Sequence, residues 1–246
     1  MRSPANWPYP KMIAHRGAGK LAPENTLSAM RLGYKMGYRM AEYDAKLTSD
    51  QIVILLHDAE LERTTNGQGL AGELSFSQLG CLDAGSWHSA DYAGEAIPTL
   101  NAIASYTLAN GMASNIEIKP TPGKESLTGQ VVARQARELW KEASTQPLLT
   151  SFSVQALEAA KLESPALPRG FLTKSLPEDW LAILTGLDCV SLHLHHEAVT
   201  KNVLEQVQTA GFRLAVWTVN DPERAKELLT WGVDAVITDN IEQIRP

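Results

Sequence analysis

Short β-branched runs and longer stretches of helical period take turns along the whole of this chain. That alternation is the pattern of a parallel sheet whose strands are joined by crossover helices. Candidate strands cover residues 12–15, 40–45, 115–119, 148–152, 169–172, 189–193, 214–219 and 235–238. Candidate helices cover 26–36, 100–110, 129–141, 154–162, 179–184, 200–210 and 222–231. Asp221-Pro222 reads as an N-cap followed by proline in the first helical turn, and Ala210-Gly211 and Trp231-Gly232 read as helices ending on glycine. Eight strand units in 246 residues leave roughly 31 residues per unit, which suits a (β/α)8 TIM barrel. An open doubly wound sheet is the rival. Two features favour closure: the units run without a composition break to the last residue, and no dinucleotide fingerprint follows the first strand. Gly17-Ala18-Gly19-Lys20 resembles a phosphate loop only at a glance, because Leu21 stands where the loop needs Ser or Thr.

Two regions break the rhythm. Turn chemistry at Leu47-Thr48-Ser49-Asp50-Gln51 is followed at once by the apolar run 52–56, with no room for a helix. This predicts an antiparallel hairpin, and a turn centred between Asp50 and Gln51 sets Asp44 opposite His57. The second region, 58–98, is rich in Gly, Ser, Asp and Trp and too long for an ordinary loop. It is expected to form a small inserted subdomain or lid within one catalytic domain spanning 1–246.

Composition narrows the function. A net charge of −6 argues against a nucleic-acid or anionic-membrane surface, while leaving room for a small anionic substrate if positive charge is gathered locally. With a mean hydropathy of −0.17 and no apolar run near membrane length, a spanning helix is not expected. The polar, Pro-rich stretch 1–11 has no apolar core of a secretory signal. Cys81 and Cys189 form no metal spacing and read as two buried thiols in a reducing cytoplasm.

In a barrel of this kind the active site gathers at the C-terminal ends of the strands. The polar residues there are His15, Arg16, Glu42, Asp44, Glu117, Lys119, Ser151, His193, His195, Trp217, Thr218 and Asp239. Strand spacing of two puts Glu42 with Asp44, and Glu117 with Lys119, on shared faces. Three carboxylates in one barrel mouth repel, and one would hold a proton at neutral pH without compensation. Two readings relieve this: a hard divalent cation held by oxygen ligands, Mg2+ or Ca2+ rather than zinc, or an ion network with Lys119 or Arg16. His15 and His57 have the chemistry of an acid–base pair, since imidazole both takes and gives a proton near neutrality. Arg16 and Lys119 would add donors complementary to a phosphate ester. His193, His195 and His196 read as structural or rim residues. Trp217 and Phe152 either stack on substrate or pack the barrel.

Taken in order, His15-Arg16-Gly17, Pro23-Glu24-Asn25-Thr26, Glu42-Tyr43-Asp44, His57-Asp58, Glu62-Arg63-Thr64-Thr65-Asn66-Gly67 and Asn115-Ile116-Glu117-Ile118-Lys119 resemble the signature of the glycerophosphodiester phosphodiesterase family. Within it the likeness is to cytoplasmic bacterial enzymes that accompany glycerol-3-phosphate uptake. The resemblance extends to Trp217-Thr218-Val219-Asn220 and the closing 232–239 unit. It implies a phospholipase-C-like (β/α)8 barrel carrying the 58–98 insertion and one divalent cation on Glu42, Asp44 and Glu117. It further implies acid–base catalysis by His15 and His57, with phosphate contacts from Arg16 and Lys119. The expected reaction is hydrolysis of glycerophosphocholine, glycerophosphoethanolamine, glycerophosphoglycerol and similar diesters to sn-glycerol 3-phosphate and an alcohol. His15 is the favoured base and His57 the favoured acid. The expected partner is the small-molecule substrate alone, without nucleic acid or membrane insertion, for a cytoplasmic monomer or homo-oligomer. Three rivals stand beside it. A lipid-cleaving phosphodiesterase of the same barrel would need an apolar or basic membrane face. A non-catalytic glycerol-phosphate sensor would be expected to lack a ligand or a histidine. A barrel with no site would leave several polar side chains buried to no purpose.

Overall fold

A computed structural model describes residues 5–246. Residues 1–4, the start of the expected domain and of its polar leader stretch, lie outside the described residues. Strands are β1 (Met12–Ala14), β2 (Met40–Leu47), β3 (Val53–Leu55), β4 (Ala113–Ile118), β5 (Leu148–Ser151), β6 (Arg169–Thr173), β7 (Ser191–His195), β8 (Arg213–Trp217) and β9 (Ala235–Thr238). Helices are α1 (Leu27–Lys35), α2 (Phe76–Leu79), α3 (Leu100–Ala109), α4 (Glu125–Leu139), α5 (Val154–Glu163), α6 (Trp180–Gly186), α7 (Lys201–Thr209) and α8 (Pro222–Trp231). All strands except β3 pair in parallel, in the order β1-β9-β8-β7-β6-β5-β4-β2, and β1 also pairs with β2 through Ala14 and Ala41. That last pairing closes the sheet into a (β/α)8 barrel and removes both edges an open sheet would expose.

Helices α1, α3, α5, α7 and α8 start where hydroxyl and carboxylate caps satisfy free amides. Thr26, Thr99, Ser153 and Thr200 each accept from an amide in the first turn, and Asp221 accepts from Glu223 and Arg224 ahead of α8. Helix α4 begins earlier than its sequence pattern indicates. Gly129 lies inside it rather than ahead of it, because a Cβ there would stand 2.1 Å from the Ala156 carbonyl of α5. The glycine serves close helix packing, not termination. Strand alternation sorts β2 in two: Ala41, Tyr43 and Ala45 join the apolar layer beneath the helices, while Met40, Glu42 and Asp44 turn into the barrel. Ile13, Met40, Leu148, Ala215, Ala235 and Ile237, with Tyr9, fill the lower interior. The acidic side chains stand above that apolar floor.

The β2–β3 hairpin forms, with its register one residue from expectation. Ala45, Lys46 and Leu47 pair with Leu55, Ile54 and Val53, so Leu56, not His57, bonds back to Asp44. The cause lies in the turn. Gln51 takes a φ of 61°, the Thr48 hydroxyl accepts from the Ile52 amide, and the Thr48 amide donates to the Ile52 carbonyl, so the loop closes over an odd number of residues. A one-residue slip exchanges the faces of everything beyond it. His57 therefore leaves the strand altogether. The segment that follows has its own apolar cluster of Leu61, Ala71, Leu79, Ala84 and Ile97 against Ile54 and Leu56. Glu95 ties it to the barrel by accepting from the Ser28 amide and hydroxyl at 3.0 and 2.5 Å. Cys189 is buried as expected; Cys81, on this insertion, is exposed, since it lies past the last apolar position of α2.

Candidate active site

The mouth of the barrel is a cavity of about 300 Å³. His15, Arg16, Glu42, His57, Glu117 and Lys119 line one side of it, and Phe152, Leu172, Lys174 and Trp217 the other. The sequence-predicted site residues are thus brought together, with Asp44 buried beside Glu42 and Glu117. Oxygens of Glu42, Asp44 and Glu117 all lie within 4.8 Å of one another. The pairing of β2 with β4 explains this: Glu42 aligns with Asn115 and Asp44 with Glu117, which stacks the acids of two neighbouring strands on one inner face.

Burial pushes the Glu42 carboxyl up, with Asp44 adding to it, to about 8. Glu117 is also raised, by burial and by Asp44. Asp44 goes the other way: burial is outweighed by Arg16, Lys119 and His57 and by the Asn25 amide, which donates to it at 2.8 Å. Arg16 Nε sits 3.3 Å and Lys119 Nζ 3.7 Å from Asp44, and Lys119 donates to Glu117 at 2.7 Å. Both expected phosphate contacts are therefore held by carboxylates. The three acids with these cations satisfy both readings drawn from sequence, and one further atom bears on the metal reading. Glu42 Oε1 is buried with no hydrogen-bond partner. An orphaned carboxylate oxygen facing two more carboxylates is a donor set that fits a hard divalent cation.

Each histidine is fixed by its own carboxylate. His15 Nδ1 lies 2.6 Å from Asp239, with its Nε2 3.7 Å from Glu42, and His57 Nδ1 lies 2.6 Å from Asp58. Burial lowers His15, but Asp239 and Glu42 outweigh it and the ring is raised. Burial lowers His57, and Asp44 only partly offsets it. Asp239 is itself placed by Asn220, which donates to its side chain at 3.1 Å and accepts from its amide at 2.8 Å. Gly19 lets the first loop lie against it, since a Cβ there would stand 2.1 Å from the Asp239 carbonyl. Arg16, in a left-handed conformation at φ 51°, also donates its amide to Glu42 at 3.1 Å.

Several members of the site are not singled out for a role by sequence reasoning. Glu24 accepts from Arg16 and Arg63, and Arg63 also pairs with Asp58, so one chain of ion pairs joins the His57 carboxylate to Arg16. Lys46, almost fully buried on β2, donates to the Lys119 carbonyl at 3.1 Å; burial pushes its amine down to about 8. The signal for Glu24, Asn25, Asp58 and Arg63 lay in their motifs, but what they touch is set by chain segments far apart in sequence. Trp217 lines the cavity with its Nε1 donating to the His193 carbonyl at 3.1 Å and its ring edge-on to Phe152. His193 is buried within the barrel, and Ser191 is its side-chain partner at 3.0 Å. Among the described residues the one group of three or more metal-competent side chains within reach of one another is the acidic one.

Comparison with known proteins agrees with this geometry. A model of the glycerophosphoryl diester phosphodiesterase family matches residues 15–243. A protein named glycerophosphodiester phosphodiesterase from Caldanaerobacter subterraneus is 31% identical over 238 residues, covering 95% of each chain. Among solved structures, an Oleispira antarctica phosphodiesterase in complex with the product sn-glycerol-3-phosphate superposes with a TM-score of 0.90 at 35% identity, covering 96% of this chain and 95% of that one. A glycerophosphodiester phosphodiesterase from Agrobacterium tumefaciens, 24% identical with a TM-score of 0.81 over 95% of this chain and 98% of that one, shares the fold.

Proposed function

The chain belongs to the glycerophosphoryl diester phosphodiesterase family, and from that premise we propose that it hydrolyses soluble glycerophosphodiesters to sn-glycerol 3-phosphate and a free alcohol, with His15 and His57 as its acid–base pair. The observation that carries this reading is the single cavity shared by two carboxylate-tethered imidazoles and the Glu42–Asp44–Glu117 cluster. The product bound to the Oleispira enzyme supports glycerol 3-phosphate as the product here. The substrates would include the choline, ethanolamine and glycerol esters. The setting would be cytoplasmic, as a monomer or homo-oligomer. The 58–98 segment would act as a small subdomain beside the mouth.

Glu42, Asp44 and Glu117 would hold one divalent cation, Mg2+ or Ca2+, which when bound supplies charge neutralisation for the phosphoryl oxygens. The chain's own residues do the rest. Arg16 and Lys119 orient the phosphate from two sides. The wall of Phe152 and Trp217 excludes water from the organic part of the substrate. At neutral pH, His57 with its lowered affinity for protons is ready to take one from the attacking oxygen. His15, raised by Asp239 and Glu42, is ready to donate one to the leaving alcohol. That order is the reverse of the one favoured from sequence. A cation on Glu42 offsets part of the His15 shift, but the Asp239 contact remains.

A panel of choline, ethanolamine and glycerol esters, assayed for glycerol 3-phosphate after EDTA stripping and Mg2+ or Ca2+ add-back, tests the reading. Release from all three, abolished by stripping and restored by metal, is expected. Full turnover by stripped protein would overturn the metal assignment, and no release from any ester would overturn the function.

A further inference from the structure

Three cations line the cavity, and they are not equivalent. Arg16 is committed to Glu24 and Asp44, and Lys119 to Glu117 and Asp44. Lys174, exposed just beyond the end of β6, lines the same cavity and has no ion pair among the described residues. It shares the cavity lining with Phe152, Leu172 and Trp217, and it follows β6, which β5 separates from the acid-bearing β4 and β2. An aromatic wall of this kind suits a quaternary ammonium group when nothing else positive is near. Here Lys119 Nζ already lies 5.6 Å from the Phe152 ring centroid, and Lys174 adds a second, uncompensated charge. The chain as a whole carries −6, so an anion gains nothing from the overall field and depends on such a local cation.

We propose that Lys174 is a specificity-determining residue. The arm of the diester lying along the Phe152–Trp217 wall ends beside its amine, so diesters bearing a further negative charge on that arm are preferred over those bearing a cation. The favoured class is a glycerophospho-alcohol with a carboxylate or a second phosphodiester. This rests on the hydrolase reading above and ranks the substrates within it.

The test compares kcat/KM for glycerophosphoglycolate, bis(glycerophospho)glycerol and glycerophosphocholine in the full chain and in K174Q and K174E. Ratios between substrates within one preparation cancel any loss of folded protein. The wild type is expected to favour the anionic esters by about fivefold. The ratio should fall about threefold in K174Q and about tenfold in K174E, the scale of one and two charge changes at an exposed site, and shrink with added salt. A preference confined to one anionic ester upholds the charge rule and identifies that anion as the occupant. An unchanged ratio in K174E, or a wild-type preference for the choline ester, would overturn it. If the wild type releases glycerol 3-phosphate from none of the three, the hydrolase reading fails and the Lys174 rule falls with it. Turnover with an unaltered ratio sinks Lys174 alone.

Discussion

The two sides of the barrel mouth are made by the same kind of strand end and do opposite things with polar residues. Where β1, β2 and β4 end, acids and bases are packed until nearly every charge has a partner. Where β5 to β8 end, the surface is aromatic and aliphatic with one lone lysine. His15 and His193 make the contrast sharp. Both sit at the heart of the barrel. His15 has Asp239 and Glu42 beside it and is raised. His193 has only a serine hydroxyl as a side-chain partner, with its Nδ1 unpartnered, and burial pushes it down to about 3. The residue type says little. The carboxylate behind the ring would separate the proposed proton carrier from a neutral packing group.

The largest effect should separate histidines across this divide. His57→Ala is expected to lower kcat by about two to four orders of magnitude with thermal stability nearly intact, since the ring is part-exposed on the rim. His193→Ala should do the reverse, costing about 1–3 kcal/mol of stability through the cavity it leaves and changing kcat only a few fold. Steady-state kinetics and thermal melts on both variants check this. Comparable kcat losses would dissolve the distinction.

A smaller effect should come from the support behind the ring. Asp239→Asn keeps the shape of the side chain and the backbone bond to Asn220 but removes the charge, and it leaves one acceptor oxygen where His15 and the Asn220 side-chain amide use two. A loss in kcat of about 10–100-fold is expected, the usual scale for a residue that orients a catalytic imidazole. Because Asp239 is among the groups that raise His15, the limb of the pH–rate profile governed by His15 should move to lower pH. A loss in rate with an unmoved limb would reduce Asp239 to a structural role.

The carboxylate side was the more legible half in sequence, and the reasons are physical. Glu42 and Asp44 share a face because strand periodicity is two, and that rule needs no partner to be known. His57 was placed near Asp44 by a register that the turn at Gln51 does not adopt; it reaches the site from a bend instead. Strand β7 runs from Ser191, two residues later than its apolar run suggests, and His193, paired with Ala215 of the interior, is buried within it. Asp239 and Asn220 were visible as polar residues near strand ends, but their roles depend on β1 closing against β9, a pairing of neighbouring strands from far-separated parts of the sequence. Lys174 had no local signal at all. Its importance comes from which of the other cations are already paired, and that is a property of the assembled mouth.

The smallest effect tests the electrostatics of the acidic side directly. Glu42 is raised from an ordinary value of 4.5 to about 8 in the folded, metal-free protein. Between those values the native state holds a proton that the unfolded chain has released, so the contribution of Glu42 to stability is full below 4.5 and is lost as pH rises toward 8. Other groups titrate in the same span. His193 works in the opposite sense below the ordinary histidine value of 6.5, because a ring buried neutral favours the fold as pH rises. The difference between the wild type and Glu42→Gln, both in EDTA, removes that background. The wild type's melting temperature relative to the variant should fall steadily from pH 4.5 to 8, by a few degrees for roughly 1–2 kcal/mol in a domain of this size. Adding Mg2+ or Ca2+ should reverse the slope for the wild type, since the cation binds the deprotonated cluster and stabilises only the fold. A difference flat with pH would mean that the three carboxylates do not repel one another, and the charge that distinguishes this side of the mouth would have no need of a cation.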